Sequence, residues 1–214
     1  MAKRYAVREV FGTLQGEGAQ AGTPAVFLRF AGCNLGYEVC PWCDTDWVKA
    51  RYQLTAEELR EMVDGEARSA FGRVGQGVLV VVTGGEPTLQ WDAPLASMLR
   101  EAGYRIAMET NGSRPFDRAL VDWLTVSPKQ VEFEVRGGDE LKIVFTGAHA
   151  PGIAPDVEAV RQLATGTRFD HYFLQPVDVP ALGGPNYEET VAAVMALGPP
   201  WRLSVQTHKV ASIP

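Results

Sequence analysis

The three cysteines of this 214-residue chain, Cys33, Cys40 and Cys43, all lie in one short segment. An odd number of cysteines cannot pair completely, and a secreted disulfide-rich fold would spread an even number along the chain. Thiolates are soft ligands that suit zinc or an iron–sulfur cluster. The spacing has six residues and then two residues between successive cysteines, which is compatible with a metal-binding loop.

Three kinds of thiol site agree with this spacing. A structural zinc site usually has four protein ligands, but there is no fourth cysteine, and His149, His171 and His208 are distant in sequence. A thioredoxin-like dithiol made by the last two cysteines would leave Cys33 unexplained. Three thiolates can instead hold three irons of a 4Fe–4S cluster and leave the fourth iron open to another ligand. The residues favour the cluster and leave the other two readings open.

The elements that must position this loop are predicted by apolar periodicity. Short apolar runs bounded by turn residues predict seven strands of a parallel sheet, at 25–30, 78–83, 104–109, 122–126, 140–145, 171–175 and 201–206. Helical spacing of apolar residues predicts four helices between them, within 55–70, 95–102, 157–164 and 191–197. This alternation predicts an α/β fold with right-handed crossovers, in which ligands bind at the carboxyl ends of the strands.

Composition and charge narrow the class of protein. Hydrophobic residues make up 46% and charged residues 21% of the chain, which is typical of a globular protein, and we expect one domain over residues 1–214. The net charge of -6 argues against a broad surface for nucleic acid or for an anionic membrane. Neither a signal peptide nor a membrane span is indicated, so we expect a cytoplasmic protein whose thiols stay reduced.

Two motifs together resemble those of the radical S-adenosylmethionine (SAM) superfamily. One is the cysteine loop, which follows a predicted strand and has Trp42 just before its last cysteine. The other is the Gly-Gly-Glu-Pro sequence at 84–87. Further segments resemble the 7-carboxy-7-deazaguanine synthase family over essentially the whole chain, at 11–18, 24–35, 43–46, 83–87, 109–112, 127–129, 206–209 and 213–214. The six-residue spacer is a departure, because the superfamily usually has three residues there.

The resemblance implies a partial (β/α)6-like barrel and a homodimer. It implies that 6-carboxy-5,6,7,8-tetrahydropterin is converted into 7-carboxy-7-deazaguanine, the core of queuosine and related compounds, with loss of ammonia. The reaction would start from a 5′-deoxyadenosyl radical made from SAM on a reduced 4Fe–4S cluster, with Mg²⁺ and an electron donor such as a flavodoxin or ferredoxin. The chain length agrees, because a closed eight-unit barrel typically needs about 250 residues.

The same resemblance assigns roles to individual residues. Cys33, Cys40 and Cys43 would ligate the cluster, and Thr45 would join the Mg²⁺ site. The expected SAM contacts are Trp42, Cys43, Asp44, Gly85, Glu86, Ser127, Pro128, Lys129, Gln175, Pro176, Val177 and Asp178. The expected pterin contacts are Leu14, Gln15, Gly16, Glu17, Arg29, Thr83, His208 and Pro214.

For three of these residues, the chemistry of the side chain supports a specific contact. Glu86 offers a carboxylate to the ammonium group of SAM, and Glu17 offers one to the amino group and ring N–H of the pterin. Arg29 is a charge within an apolar strand and needs a partner, which a bidentate contact to the substrate carboxylate would supply. The alternatives are a turn at Glu86, a solvated loop acid at Glu17 and an outward-facing arginine at position 29.

Two other functions stay open from the sequence. A radical SAM activase that acts on a partner protein would share the cysteine loop and the fold. A zinc-stabilised binding module would share only the cysteines. The segments at 14–18 and 206–208 favour the synthase over the activase.

Overall fold

One mixed sheet of nine strands organises the protein, and the computed structural model describes residues 3–214. The strand order is β11-β8-β7-β6-β5-β4-β2-β1-β3. Its parallel strands are β2 (Pro24–Phe30), β4 (Leu79–Gly84), β5 (Arg105–Thr110), β6 (Trp123–Val126), β7 (Gly137–Phe145), β8 (Arg168–Pro176) and β11 (Trp201–Leu203). Two antiparallel strands, β1 (Tyr5–Leu14) and β3 (Tyr52–Leu54), complete one edge.

Six α-helices accompany the sheet in the described part of the chain. They are α1 (Gly36–Val39), α2 (Ala56–Phe71), α3 (Ala93–Glu101), α4 (Val157–Ala164), α5 (Tyr187–Leu197) and α6 (Thr207–Ala211). A small hairpin of β9 (Asp178–Val179) and β10 (Gly184–Pro185) follows β8. Within residues 3–214, none of the helices combines the length and the apolar character needed to cross a bilayer.

The two faces of the sheet have different chemistry. One face packs against the helices in the main core, where Leu59 and Val63 of α2 and Leu95 and Leu99 of α3 are fully buried. The concave face is apolar only near the start of its strands, where the residues are Ala25, Phe27, Leu79, Val81, Ala107 and Trp123. Because side chains alternate along a strand, the next residues on this face are polar: Arg29, Thr83 and Glu109. The strand ends therefore carry the polar side chains into the concave interior.

The predicted fold class is confirmed, and the barrel is partial. All seven predicted strands occur, although the last ends at Leu203 rather than at residue 206. Strands β1 and β3 were not predicted, and because both pair antiparallel, the sheet is mixed rather than wholly parallel. β1 escaped notice because charged residues such as Arg8 and Glu9 interrupt it, as happens in a half-exposed antiparallel strand. The loop after β1 reaches across the open side, where Thr207 N donates to Gly16 O at 2.9 Å.

Gly65 provides a test of the helix energetics. It lies exposed in the middle of α2, has no left-handed backbone angle, and a Cβ atom there would meet no other atom within 4 Å. Gly65→Ala should raise the free energy of unfolding by about 0.5–1 kcal/mol, because alanine loses less backbone entropy in a helix. The matched variant Gly12→Ala should destabilise, since its Cβ would lie 2.5 Å from Ala70 Cβ. Chemical denaturation of both variants would contradict this account if Gly65→Ala were the less stable one.

Candidate active site

A cavity of about 550 Å³ lies at the carboxyl ends of the parallel strands. This volume is within the range of small-molecule sites. The cavity is lined by every site residue that the sequence predicted except Glu86 and Pro128. Residues from the cysteine loop, from the loop after β1 and from the chain's last residues therefore meet in one place.

The cysteine loop forms one wall of the cavity. The six-residue spacer between Cys33 and Cys40 is not an open loop, because it contains the single turn of α1. All three cysteines are free thiols, and Cys40 is nearly fully buried. Gly85 packs directly behind the loop: a Cβ there would lie 2.2 Å from Gly32 O and 2.7 Å from Cys33 Cβ. The second glycine of the Gly-Gly-Glu-Pro motif is thus required for the close approach of the two loops.

Charge is concentrated beside these thiols. Burial raises the pKa of the Cys40 thiol, the Lys129 ammonium opposes this shift, and the neighbouring Cys43 and Cys33 add to it. Lys129 Nζ donates to Ser127 O at 2.8 Å and to Ser127 Oγ at 2.6 Å. The ammonium also lies 5.9 Å from the centroid of the Trp42 ring. The three predicted SAM-site residues Trp42, Ser127 and Lys129 are therefore joined beside the cysteine loop.

Glu86 has a different place from the one expected. Its side chain is fully buried behind the cavity wall, not exposed to a ligand. The carboxylate accepts hydrogen bonds from Thr88 N and Thr88 Oγ1, and from Thr110 Oγ1 at 2.7 Å and Asn111 N at 2.8 Å. With these bonds made, Glu86 joins the loop after β4 to the loop after β5. The expected direct contact between this carboxylate and an ammonium group is replaced by a positioning role for the wall beside it.

Lys142 lies at the centre of a buried charge network that the sequence analysis missed. Its side chain is only 4% exposed, and it forms an ion pair with Glu17 and another with Glu109, at 3.5 Å from Glu109 Oε1. Glu17 Oε1 also accepts hydrogen bonds from Gln175 at 3.1 Å and Gln206 at 2.8 Å. A signal was present in the sequence, because charges at positions 140 and 142 alternate with apolar residues in a strand whose outer face is buried.

This network keeps Glu17 ionised inside the protein. Burial acts to raise the pKa of Glu17, but the Lys142 ammonium and the Gln206 amide outweigh it and lower that pKa to about 2. Burial acts to lower the pKa of Lys142, yet Glu109, Glu17 and Glu140 together raise it above its usual range. Burial raises the pKa of Glu140, whose carboxylate accepts from Ala19 N. Glu17 is therefore a paired and largely buried carboxylate, with 15% of its side chain exposed, and not a solvated loop acid.

Arg29 uses one nitrogen of its guanidinium group in an ion pair and leaves the other two nitrogens available to a ligand. Arg29 and Glu9 are opposite each other in the pairing of β1 with β2, and Arg29 Nε donates to Glu9 Oε1 at 2.8 Å. The side chain is 19% exposed and lines the cavity. Within residues 3–214, no hydrogen bond joins its two terminal nitrogens to another protein group. Those nitrogens can donate to an anionic ligand in the cavity.

The last residues of the chain complete the cavity wall. His208 and Pro214 both line it, and Thr13 Oγ1 donates to the carbonyl oxygen of Pro214 at 3.0 Å. Gly16 is in close contact with His208, because a Cβ at Gly16 would lie 2.1 Å from His208 Nδ1. The other two histidines have contacts away from the cavity: His149 with Gly184 O, and His171 in a stack with Trp123.

The buried pair gives stability a defined dependence on pH. The folded-state pKa of Glu17 is below its unfolded value of 4.5, so the pair's contribution is present above that value and is lost as the pH falls toward 2. Over that window the wild type should lose up to about 3 kcal/mol more free energy of unfolding than Glu17→Gln. Urea denaturation across a pH series measures this difference. An exposed-site control, Glu132→Gln, should follow the wild type, and identical slopes for Glu17→Gln and wild type would contradict the pairing.

Three comparisons identify the family. The sequence profile of the radical SAM superfamily matches residues 28–150. The chain is 43% identical to a 7-carboxy-7-deazaguanine synthase of Bordetella pertussis over 98% of this chain and 99% of that protein. It is 34% identical to the 7-carboxy-7-deazaguanine synthase of Escherichia coli over 98% and 99% of the two proteins. The crystal structure of QueE from Escherichia coli superposes with a TM-score of 0.66 at 26% identity, over 94% of this chain and 93% of that one. The chain therefore belongs to the 7-carboxy-7-deazaguanine synthase family of the radical SAM superfamily.

Proposed function

We propose that this enzyme converts 6-carboxy-5,6,7,8-tetrahydropterin into 7-carboxy-7-deazaguanine with loss of ammonia. The observation that supports the proposal most strongly is the shared cavity. Three free cysteines and the polar residues of the pterin-site motifs line the same space of about 550 Å³. Site residues that are dispersed over most of the chain length thus face one small-molecule site.

The cysteine loop fits a 4Fe–4S cluster held by Cys33, Cys40 and Cys43. Its donors are three free thiols, which is one fewer than full ligation of four irons requires. Among residues 3–214, no three His, Cys, Asp or Glu side chains are grouped closely enough to hold one metal ion. Thiolates that each bind a different iron do not need to converge on a single point. When bound, the cluster and SAM would supply the radical that starts the reaction, and the protein positions the reactants and excludes water.

The proposed SAM contacts surround this loop. Trp42, Cys43 and Asp44 come from the loop itself, and Gly85 offers backbone groups from the loop after β4. The remaining contacts follow later strands: Ser127 and Lys129 after β6, and Gln175, Pro176, Val177 and Asp178 at the end of β8. Glu86 and Pro128 are left out as direct contacts because neither lines the cavity.

The residues of the proposed pterin site line the same cavity as the cysteine loop. Glu17 is an ionised acceptor for the amino group and ring N–H of the pterin, and Gln15 has both donor and acceptor groups. Arg29 presents its two terminal nitrogens to the substrate carboxylate. The other contacts proposed for this site are Leu14, Gly16, Thr83, His208 and Pro214.

Thr45 is the proposed protein ligand of a Mg²⁺ ion. It lines the cavity two residues after the last cysteine, and its hydroxyl lies 3.5 Å from Asp44 Oδ1. Mg²⁺ prefers oxygen ligands and keeps several waters, so one threonine together with substrate oxygens is a suitable set. The ion would order the substrate carboxylate near Arg29.

The proposal extends to organisation and partners. We assign residues 1–214 to one domain and expect a homodimer, as the family resemblance implies. A flavodoxin or ferredoxin is the proposed electron donor, because the cluster must be reduced before it reacts with SAM. A cytoplasmic location agrees with the three free thiols, which a reducing compartment maintains.

Turnover by the isolated protein tests the function. After anaerobic reconstitution with iron and sulfide, the protein should convert the carboxypterin into the deazaguanine product with SAM, Mg²⁺ and a reductant, with little net loss of SAM. Cys40→Ala should abolish this turnover because the chain has no spare cysteine. The exposed-site control Met195→Ala should retain it. If turnover instead required a partner protein, the activase would be supported. A colourless protein that contains about one zinc and no iron would support the zinc module.

Arg29 tests the assignment of the pterin site. Arg29→Ala should weaken binding of the carboxypterin by on the order of 10- to 100-fold, because a charge-assisted hydrogen bond contributes about 1.5–3 kcal/mol. SAM binding should change far less. Arg105→Ala is the control, since this strand arginine does not line the cavity. Isothermal titration with each ligand measures both affinities, and an equal loss of the two would mean that Arg29 is structural.

A further inference from the structure

Lys209 of α6 joins three segments of the cavity wall that are distant in sequence. Its Nζ donates to Asp44 Oδ2 at 2.8 Å and to Asp178 Oδ2 at 2.7 Å. Asp44 directly follows Cys43 in the cysteine loop, and Asp178 begins the small hairpin after β8. One ammonium group thus holds two loops and the C-terminal helix together.

The rest of the C-terminal segment is attached elsewhere. We call residues 206–214 the C-terminal strap. Gln206 donates to Glu17, Thr207 N donates to Gly16 O, and Pro214 O accepts from Thr13. All of these contacts lead to the loop after β1 and the end of that strand. Among the hydrogen bonds and ion pairs of residues 3–214, those of Lys209 alone join the strap to the cysteine loop and to the hairpin.

The junction combines one partly buried ion pair, Lys209 with Asp178, and one exposed ion pair, Lys209 with Asp44. The Asp178 side chain is only 14% exposed, and the ammonium is shared between two carboxylates. Burial acts to lower the pKa of Lys209, but its hydrogen bonds to Asp178 and Asp44 raise it overall, so the lysine stays charged. Removing the ammonium would leave two carboxylates facing each other without a counter-charge.

We propose that Lys209 is a positioning residue that makes binding at the cysteine-loop end of the cavity and binding at the strap end favour each other. The inference rests on the proposed function, in which SAM occupies the first end and the pterin occupies the second. An occupant that fixes Asp44 and Asp178 also fixes Lys209, and with it His208 and Pro214 of the strap. The first ligand to bind supplies the free energy that orders the strap, so the second ligand binds to a strap that is already ordered. The two sites are thereby coupled.

The coupling can be measured as binding without turnover. Iron-loaded protein is titrated anaerobically, with no reductant, with the carboxypterin in the presence and absence of SAM, and then with SAM in the presence and absence of the pterin. In the wild type each ligand should strengthen binding of the other by the same factor, on the order of fivefold or more. Lys209→Met should bring this factor close to one, and Lys209→Arg should restore part of it. The control Lys49→Met, at an exposed lysine of the same region, should keep the wild-type factor.

A second measurement needs neither ligand. In the ligand-free protein, Lys209→Met should speed hydrogen exchange at the amides of the strap, while Lys49→Met should not. An unchanged coupling factor in Lys209→Met would overturn the inference, and so would unchanged strap protection. Failure of the wild type to bind the carboxypterin would count against the proposed function, and the exchange result would still decide the role of Lys209 in holding the strap.

Discussion

The interior of this partial barrel depends on one buried lysine. Lys142 contacts Glu17 and Glu109 and lies near Glu140, so one ammonium interacts with three carboxylates at a place where its own side chain is only 4% exposed. Isolated charges would not be stable there, and removing one partner of such a pair typically costs about 3–5 kcal/mol. The network therefore requires the loop after β1 and the strands β5 and β7 to meet at one point. Gln206 and Gln175 extend it to the C-terminal strap and to β8.

The cysteine loop is positioned by a different constraint, which is close backbone packing. Gly85 allows the loop after β4 to lie against Gly32 and Cys33, and Glu86 fixes that loop from behind through Thr110 and Asn111. The wall beside the thiols is therefore closely packed, while its charged groups come from Lys129 and from the strap. The two ends of the cavity differ accordingly: one end is shaped by close backbone packing beside the three thiols, and the other by paired charges.

The sequence predicted the repeating parallel strands better than the segments that complete the sheet edge and the cavity wall. Seven apolar runs were correct because buried parallel strands have a simple pattern. The antiparallel β1 carries mixed residues, so periodicity did not distinguish it, although its final residues belonged to a recognised motif. Motif resemblance singled out Arg29 and His208, and both line the cavity. It could not show that the Glu86 carboxylate makes its hydrogen bonds inside the wall. Lys142 and Lys209 act through partners far away in sequence, which only the folded chain brings near.

In the proposed function, the pair of Glu17 and Lys142 organises the pterin site. A double-mutant cycle with Glu17→Gln, Lys142→Met and the combined variant, measured on the dissociation constant of the carboxypterin, tests this most directly. We expect the two substitutions to be strongly non-additive, with the combined variant little worse than Lys142→Met alone. Effects that add within about 0.5 kcal/mol would mean that the two residues act independently, and would contradict the account.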